Sequence, residues 1–187
     1  MKKVVVLLAE GFEEIETVTP VDLLRRGGIQ VDIAAVGKDK IISGGQKITL
    51  QADIFLSEVE SSSYDLLFIP GGGLGVQNLL ADEDVPTLIR DFSAAGKWIA
   101  SICAGPKVLV NAGVLQDSCI TSYPTVKNEV LSGIKSYSED RVVVDGNIIT
   151  SRGAGCAEAF GLMVLEKLVG PEEARRVAEA IITGLVL

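Results

Sequence analysis

Trp98-Ile99-Ala100-Ser101-Ile102-Cys103-Ala104-Gly105-Pro106 runs from a short apolar segment into a cysteine, two small residues and a proline. A short apolar run, flanked by Gly96-Lys97 and Gly105-Pro106, suits a strand buried on both faces. Pro106 suits the first turn of a helix, where its missing N–H costs nothing. Cys103 therefore falls at a sharp strand-to-helix turn, and Ala104 and Gly105 are small enough to permit it, as in a hydrolase nucleophile elbow. Unpaired N–H groups and the positive end of the helix dipole favour a thiolate there. A buried packing cysteine is the competing reading of the same local pattern.

The composition narrows the chemistry. The 187 residues suggest one domain, 1–187, and 48% hydrophobic content supplies a sizeable core. With 17 basic and 25 acidic residues the net charge is −8, which argues against electrostatic nucleic-acid binding. The apolar run after Met1-Lys2-Lys3 is broken by Glu10 and by Glu13-Glu14, so it reads as a first strand rather than a signal peptide. No run approaches a membrane span. Three cysteines do not make a disulfide framework, and a reducing cytoplasm is the expected compartment. The chain contains no histidine. Cys-His and Ser-His-Asp triads are thereby excluded, a metal site is not expected, and Cys103 must be activated by backbone dipoles, carboxylates or cations.

Outward from the elbow, strands alternate with helices. Lys3–Ala9, Gln30–Val36 and Asp65–Ile69 read as buried strands, and Ile15–Arg26 has helical apolar spacing ended by Gly27-Gly28. Pro20 suggests that this helix begins only near Thr19. Ile41–Leu50 reads as a hairpin at the sheet edge, Glu58–Ser63 as a loop, and Val76–Leu80 and Val85–Ala95 as helices. After the elbow helix, short strands are expected at Ser118–Thr121, Ile134–Tyr137, Val142–Asp145 and Ile148–Thr150, then helices over Ala157–Val169 and from Pro171. Pro70-Gly71-Gly72-Gly73 follows a strand, but neither a following Lys-Ser/Thr nor a G-x-G-x-x-G pattern supports a phosphate loop, and no cofactor is expected. The pattern predicts an α/β, doubly wound, mostly parallel sheet with helices on both faces. Sites in such sheets form at the carboxyl ends of strands, which would gather Glu10–Glu14, Gly71–Gly73, Cys103 and the segment after Thr121.

Leu8-Ala9-Glu10-Gly11-Phe12-Glu13-Glu14-Ile15-Glu16, Ile69-Pro70-Gly71-Gly72, Ser101-Ile102-Cys103-Ala104-Gly105-Pro106 and Thr150-Ser151-Arg152-Gly153 occur in an order and spacing that resembles the DJ-1-like branch of the ThiJ/PfpI superfamily. The resemblance covers essentially the whole chain. It implies a flavodoxin-like fold and a homodimer. It makes Cys103 similar to an oxidation-prone catalytic cysteine and Glu16 to its acidic partner and proton shuttle. Gly72 and Ala104 match residues whose N–H groups form an oxyanion site, with Gly73 beside them, and Arg26 matches an arginine brought to the pocket across the dimer interface.

The implied activity is that of a glyoxalase or deglycase, independent of glutathione, acting on methylglyoxal, glyoxal or their adducts. A redox-sensing stress protein or a chaperone with little turnover is the alternative. The chemistry of a like-charged pair agrees with a role for Glu16: one member keeps its proton, and the arrangement expected is a protonated Glu16 donating to the Cys103 thiolate. Glu13 and Glu14 read as capping or surface residues, either of which could line the pocket. Two positions depart from the family pattern. Ser122-Tyr123-Pro124 stands where many relatives carry a histidine, which places Tyr123 in the pocket but speaks against amidotransferase or protease chemistry. Gln46 stands where some relatives have an arginine. Cys119 reads as packing, and Cys156, near a helix start, is a weaker second candidate for a reactive thiol.

Overall fold

The computed structural model describes residues 1–184; the last three residues of the expected 1–187 domain lie outside the described part. In chain order the elements are β1 (Lys3–Leu8), α1 (Glu14–Arg26), β2 (Gln30–Ala35), β3 (Ile41–Ser43), β4 (Thr49–Gln51), β5 (Ile54–Phe55) and β6 (Leu66–Ile69). Then come α2 (Gly73–Ala81), α3 (Asp84–Ala94), β7 (Trp98–Ile102), α4 (Pro106–Ala112), β8 (Cys119–Ile120) and α5 (Lys127–Val130). The chain ends through β9 (Ser136–Tyr137), β10 (Val142–Asp145), β11 (Ile148–Ser151), α6 (Ala157–Val169) and α7 (Pro171–Ala180).

Seven strands form one sheet in the order β10-β11-β7-β6-β1-β2-β5, and only the β10–β11 pair is antiparallel. Successive side chains of a strand point to opposite faces, so β1 feeds two cores. Val4, Val6 and Leu8 pack with Phe160 and Leu165 of α6 and Leu24 of α1. Val5 and Leu7 pack on the other face with Val76 of α2, Ile89 of α3 and Leu109 of α4. Helices on both faces and a near-continuous apolar centre make the expected α/β doubly wound fold, which is why these strands show no polar alternation.

β7, β6 and β1 are neighbours, so the chain leaves all three at the same edge of the sheet. The loops after Leu8, Ile69 and Ile102 thereby converge, as the sequence reading required. Three local expectations are corrected. α1 runs through Pro20 and starts at Glu14: Glu13 is its N-cap, its carboxylate accepting the Glu16 N–H at 2.7 Å. One missing interior donor is outweighed by burial of Pro20, Val21, Leu23 and Leu24. The β3–β4 hairpin pairs only with itself, and the sheet edge is instead β5. Glu14, read as a capping or surface residue, is buried and accepts the Gln46 N–H at 2.6 Å, tying that hairpin to α1.

Candidate active site

Cys103 directly follows β7 at φ +64°, a left-handed conformation that costs an L-residue about 1–2 kcal/mol. Its neighbours over-determine it. The Cys103 N–H donates to Ser151 C=O at 2.9 Å, and the Cys103 C=O accepts the Tyr123 N–H at 2.8 Å. Pro106 opens α4 directly after the turn. This is the strand-to-helix elbow read from the sequence, with its strain held by two adjoining segments.

Glu16 lies in the first turn of α1, 1% exposed, with Oε2 buried and lacking a hydrogen-bond partner among the described residues. Burial pushes its carboxyl up to about 7, against the opposing influence of the Cys103 thiol and the backbone of Gly71 and Ala154. The two side chains meet over Gly71. A methyl group there would collide with Glu16 Oε2 and stand 2.7 Å from Cys103 Cβ and 3.1 Å from Sγ. Gly71 is thus kept bare for space, a role that the Pro-Gly-Gly-Gly run hinted at without saying which glycine carried it.

Gly72 has φ +101° and caps α2, and a Cβ on it would lie 2.6 Å from the Glu13 nitrogen. Both the backbone freedom and the close approach require glycine. This contact locks the β6 loop to the β1 loop, reinforced by Glu13 N–H to Gly71 C=O at 3.1 Å. The N–H groups of Gly72 and Ala104 act on the Cys103 sulfur and favour its ionised form.

They do not prevail. Burial first, and then the charge of Glu16, push the thiol above its ordinary range. Both members of the pair are thus raised, the Glu16 carboxyl to about 7 and the thiol above its ordinary range, so the two side chains share a proton over Gly71. Dipoles and N–H groups are legible in residues 101–106, whereas the depth of the turn is set by the segments packed over it.

Among the remaining expected residues, Gly73 begins α2 and lines a cavity of about 300 Å³ with Glu13, Glu14, Gln46, Lys47 and Gly72. Tyr123 reaches the elbow through its backbone and stands against Gly153. Arg26 does not reach Cys103 within one chain. It sits at the far end of α1, about 15 Å along the axis from Glu16, and its Nε donates to Asp22 at 2.6 Å. Cys119 is half-buried in β8 with its N–H on Asp145 Oδ2 at 2.7 Å, and Cys156 is half-buried just before α6. The sequence reading missed Gly153 and Ser151 as site-forming groups. Both lie in the Thr150-Ser151-Arg152-Gly153 segment that carries the resemblance, but one contributes empty space and the other a carbonyl, so neither residue type announces its role.

Among the described residues no group of three or more His, Cys, Asp or Glu side chains could hold a metal ion, and no helix is long and apolar enough to cross a membrane.

A doubly wound sheet with a cysteine elbow, a buried glutamate facing the sulfur and two N–H groups beside it defines a class of cysteine-centred α/β proteins. The sequence model of the DJ-1/PfpI family matches residues 2–167, and the chain belongs to that family. It is 38% identical over 183 residues to the Parkinson disease protein 7 homolog of Danio rerio, spanning 97% of each chain. The glutathione-independent glyoxalase DJ-1 of Schizosaccharomyces pombe is 33% identical over 181 residues, 92% of this chain and 94% of that one. Among solved structures, Drosophila melanogaster DJ-1beta superposes with a TM-score of 0.94 at 35% identity, covering 98% of this chain and 99% of that chain.

Proposed function

We propose that this protein is a cysteine-dependent, glutathione-independent glyoxalase, acting on α-oxoaldehydes such as methylglyoxal or on the carbonyl released from their adducts. The observation that carries the reading is the pairing of Cys103 with a buried Glu16 that ionises near neutrality. A base of that strength suits proton transfer at neutral pH without histidine.

Glu16 takes the thiol proton as Cys103 sulfur bonds to the aldehyde carbon, and the carbonyl electron pair moves onto oxygen. The N–H groups of Gly72 and Ala104 hold that oxyanion. Protonated Glu16 returns its proton to the oxyanion, giving a hemithioacetal. The carboxylate then removes the former aldehyde hydrogen, forming an enediolate on the adjoining carbonyl. Protonated Glu16 delivers its proton to the former ketone carbon while the hydroxyl proton next to sulfur passes to the enediolate oxygen, which leaves the lactoyl thioester and the Glu16 carboxylate. Water cleaves the thioester, releasing lactate and restoring the thiol. The internal redox balance is complete: the aldehyde carbon is oxidised and the ketone carbon reduced, with net addition of one water and no cofactor.

A redox-sensing stress protein or a chaperone with little turnover is the alternative reading of the same cysteine. A cytoplasmic homodimer remains part of the proposal, with Arg26 reaching the pocket from a second copy. Lactate production from methylglyoxal by wild type and Cys103→Ser tests the reading. Loss in the variant is expected, and undiminished lactate would overturn it.

A further inference from the structure

Tyr123 is held at the site by its backbone. Its N–H donates to the Cys103 carbonyl at 2.8 Å, and its own carbonyl accepts the Val126 N–H at 3.1 Å. Pro124 follows, restricting Tyr123 to the extended backbone it adopts at φ −62°, ψ +138°. The residue is nonetheless 45% exposed. Its hydroxyl has no hydrogen-bond partner among the described residues.

Gly153 shows where the ring points. A Cβ on that glycine would lie 3.1 Å from Tyr123 Cδ2, 3.5 Å from Cε2 and 3.7 Å from Glu16 Oε1. The ring edge and the carboxylate that serves Cys103 therefore border the same small space. Gly153 itself is in extended backbone that any residue adopts, so its missing side chain serves space rather than conformation. An exposed planar ring anchored to the nucleophile's own carbonyl thus stands beside Gly153, next to the carboxylate that serves the sulfur, where it is placed to act as a wall for an incoming substituent.

We propose that Tyr123 is a specificity-determining residue that selects α-oxoaldehydes carrying a planar aromatic substituent over those carrying a small alkyl group. This rests on the proposed carbonyl chemistry at Cys103. The substituent on the second carbonyl packs against the ring, and the unpartnered hydroxyl is available to that carbonyl's oxygen. An aromatic contact of this kind changes the selectivity ratio by roughly threefold to tenfold. Phenylalanine keeps the packing face and loses only the hydroxyl, whereas alanine loses both.

The test compares kcat/KM for phenylglyoxal and methylglyoxal in wild type, Tyr123→Phe and Tyr123→Ala, with circular dichroism confirming each fold. The phenylglyoxal-to-methylglyoxal ratio is expected to fall threefold to tenfold in Tyr123→Ala and to stay within about twofold of wild type in Tyr123→Phe. An unchanged ratio in folded Tyr123→Ala overturns the proposal. Protection of the Cys103 peptide from iodoacetamide by each aldehyde, read by mass spectrometry, gives the same ratio without turnover. Wild type that is inactive yet protected preferentially by phenylglyoxal, with the preference lost in Tyr123→Ala, would defeat the enzyme reading and support the wall. Equal protection by the two aldehydes would defeat the wall whatever the activity. If Tyr123→Ala does not fold, Tyr123→Leu replaces it, and an unchanged ratio in that variant counts equally against the proposal.

Discussion

Replacing Glu16 by Gln removes a titrating group while keeping its shape, and the consequence for stability follows from the protonation of one side chain. In the folded protein the Glu16 carboxyl titrates at about 7 because it is buried, whereas its ordinary value is 4.5. Below the ordinary value both folded and unfolded chains hold the proton, and the group contributes no pH dependence. As pH rises from there, the unfolded chain releases the proton first, so stability is lost until the folded carboxyl has ionised as well. The shift corresponds to about 3 kcal/mol between mildly acidic pH and pH 8. Every other titrating group except the coupled Cys103 thiol is shared with the glutamine variant and largely cancels in the difference. Urea unfolding of wild type and Glu16→Gln at pH 5, 6, 7 and 8 measures this directly. The variant is expected to gain on wild type by about 2–3 kcal/mol across that range, most steeply between pH 5 and 7. Parallel stability curves would refute the assignment of a buried, raised carboxyl at this position.

The same substitution separates the two members of the pair: because the charge on Glu16 raises the Cys103 thiol, Glu16→Gln should alkylate faster with iodoacetamide at pH 8 while its turnover falls. Gly71→Ala places a methyl between carboxylate and sulfur, 2.7 Å from Cys103 Cβ, and should cost about 1–3 kcal/mol in unfolding free energy and at least a hundredfold in turnover. Glu14→Ala should release the β3–β4 hairpin, seen as faster hydrogen exchange at the Gln46 and Ile48 amides and a loss of about 1–3 kcal/mol.

Much of this arrangement is legible in the sequence because its causes are local. The elbow needs a buried strand, two small residues and a proline in succession, and Ile102 to Pro106 displays all of them. Strand–helix alternation implies a parallel sheet with these loops along one edge; the neighbouring order of β1, β6 and β7, set by packing, is what brings Glu16 and Gly72 to Cys103. Other features depend on tertiary packing and leave no local mark. Pro20 reads as a helix boundary, yet burial of its neighbours carries α1 straight through it. Glu14 looks like a surface acid until the hairpin folds back and supplies its N–H donors. Ile54–Phe55 is too short to show periodicity, and only β2 makes it a strand. The direction of the thiol shift depends on burial depth, and burial depth is not a property of residues 101–106 alone.

The central claim is that Cys103 and Glu16 act as one catalytic unit on α-oxoaldehydes. Its most direct test is conversion of methylglyoxal to lactate, followed with chiral detection for reduced wild type, Cys103→Ser and Glu16→Gln side by side. The account predicts lactate from wild type, none above background from Cys103→Ser, and a loss of at least a hundredfold in Glu16→Gln. Lactate formation that survives either substitution unchanged, or its absence from fully reduced wild type, would contradict it.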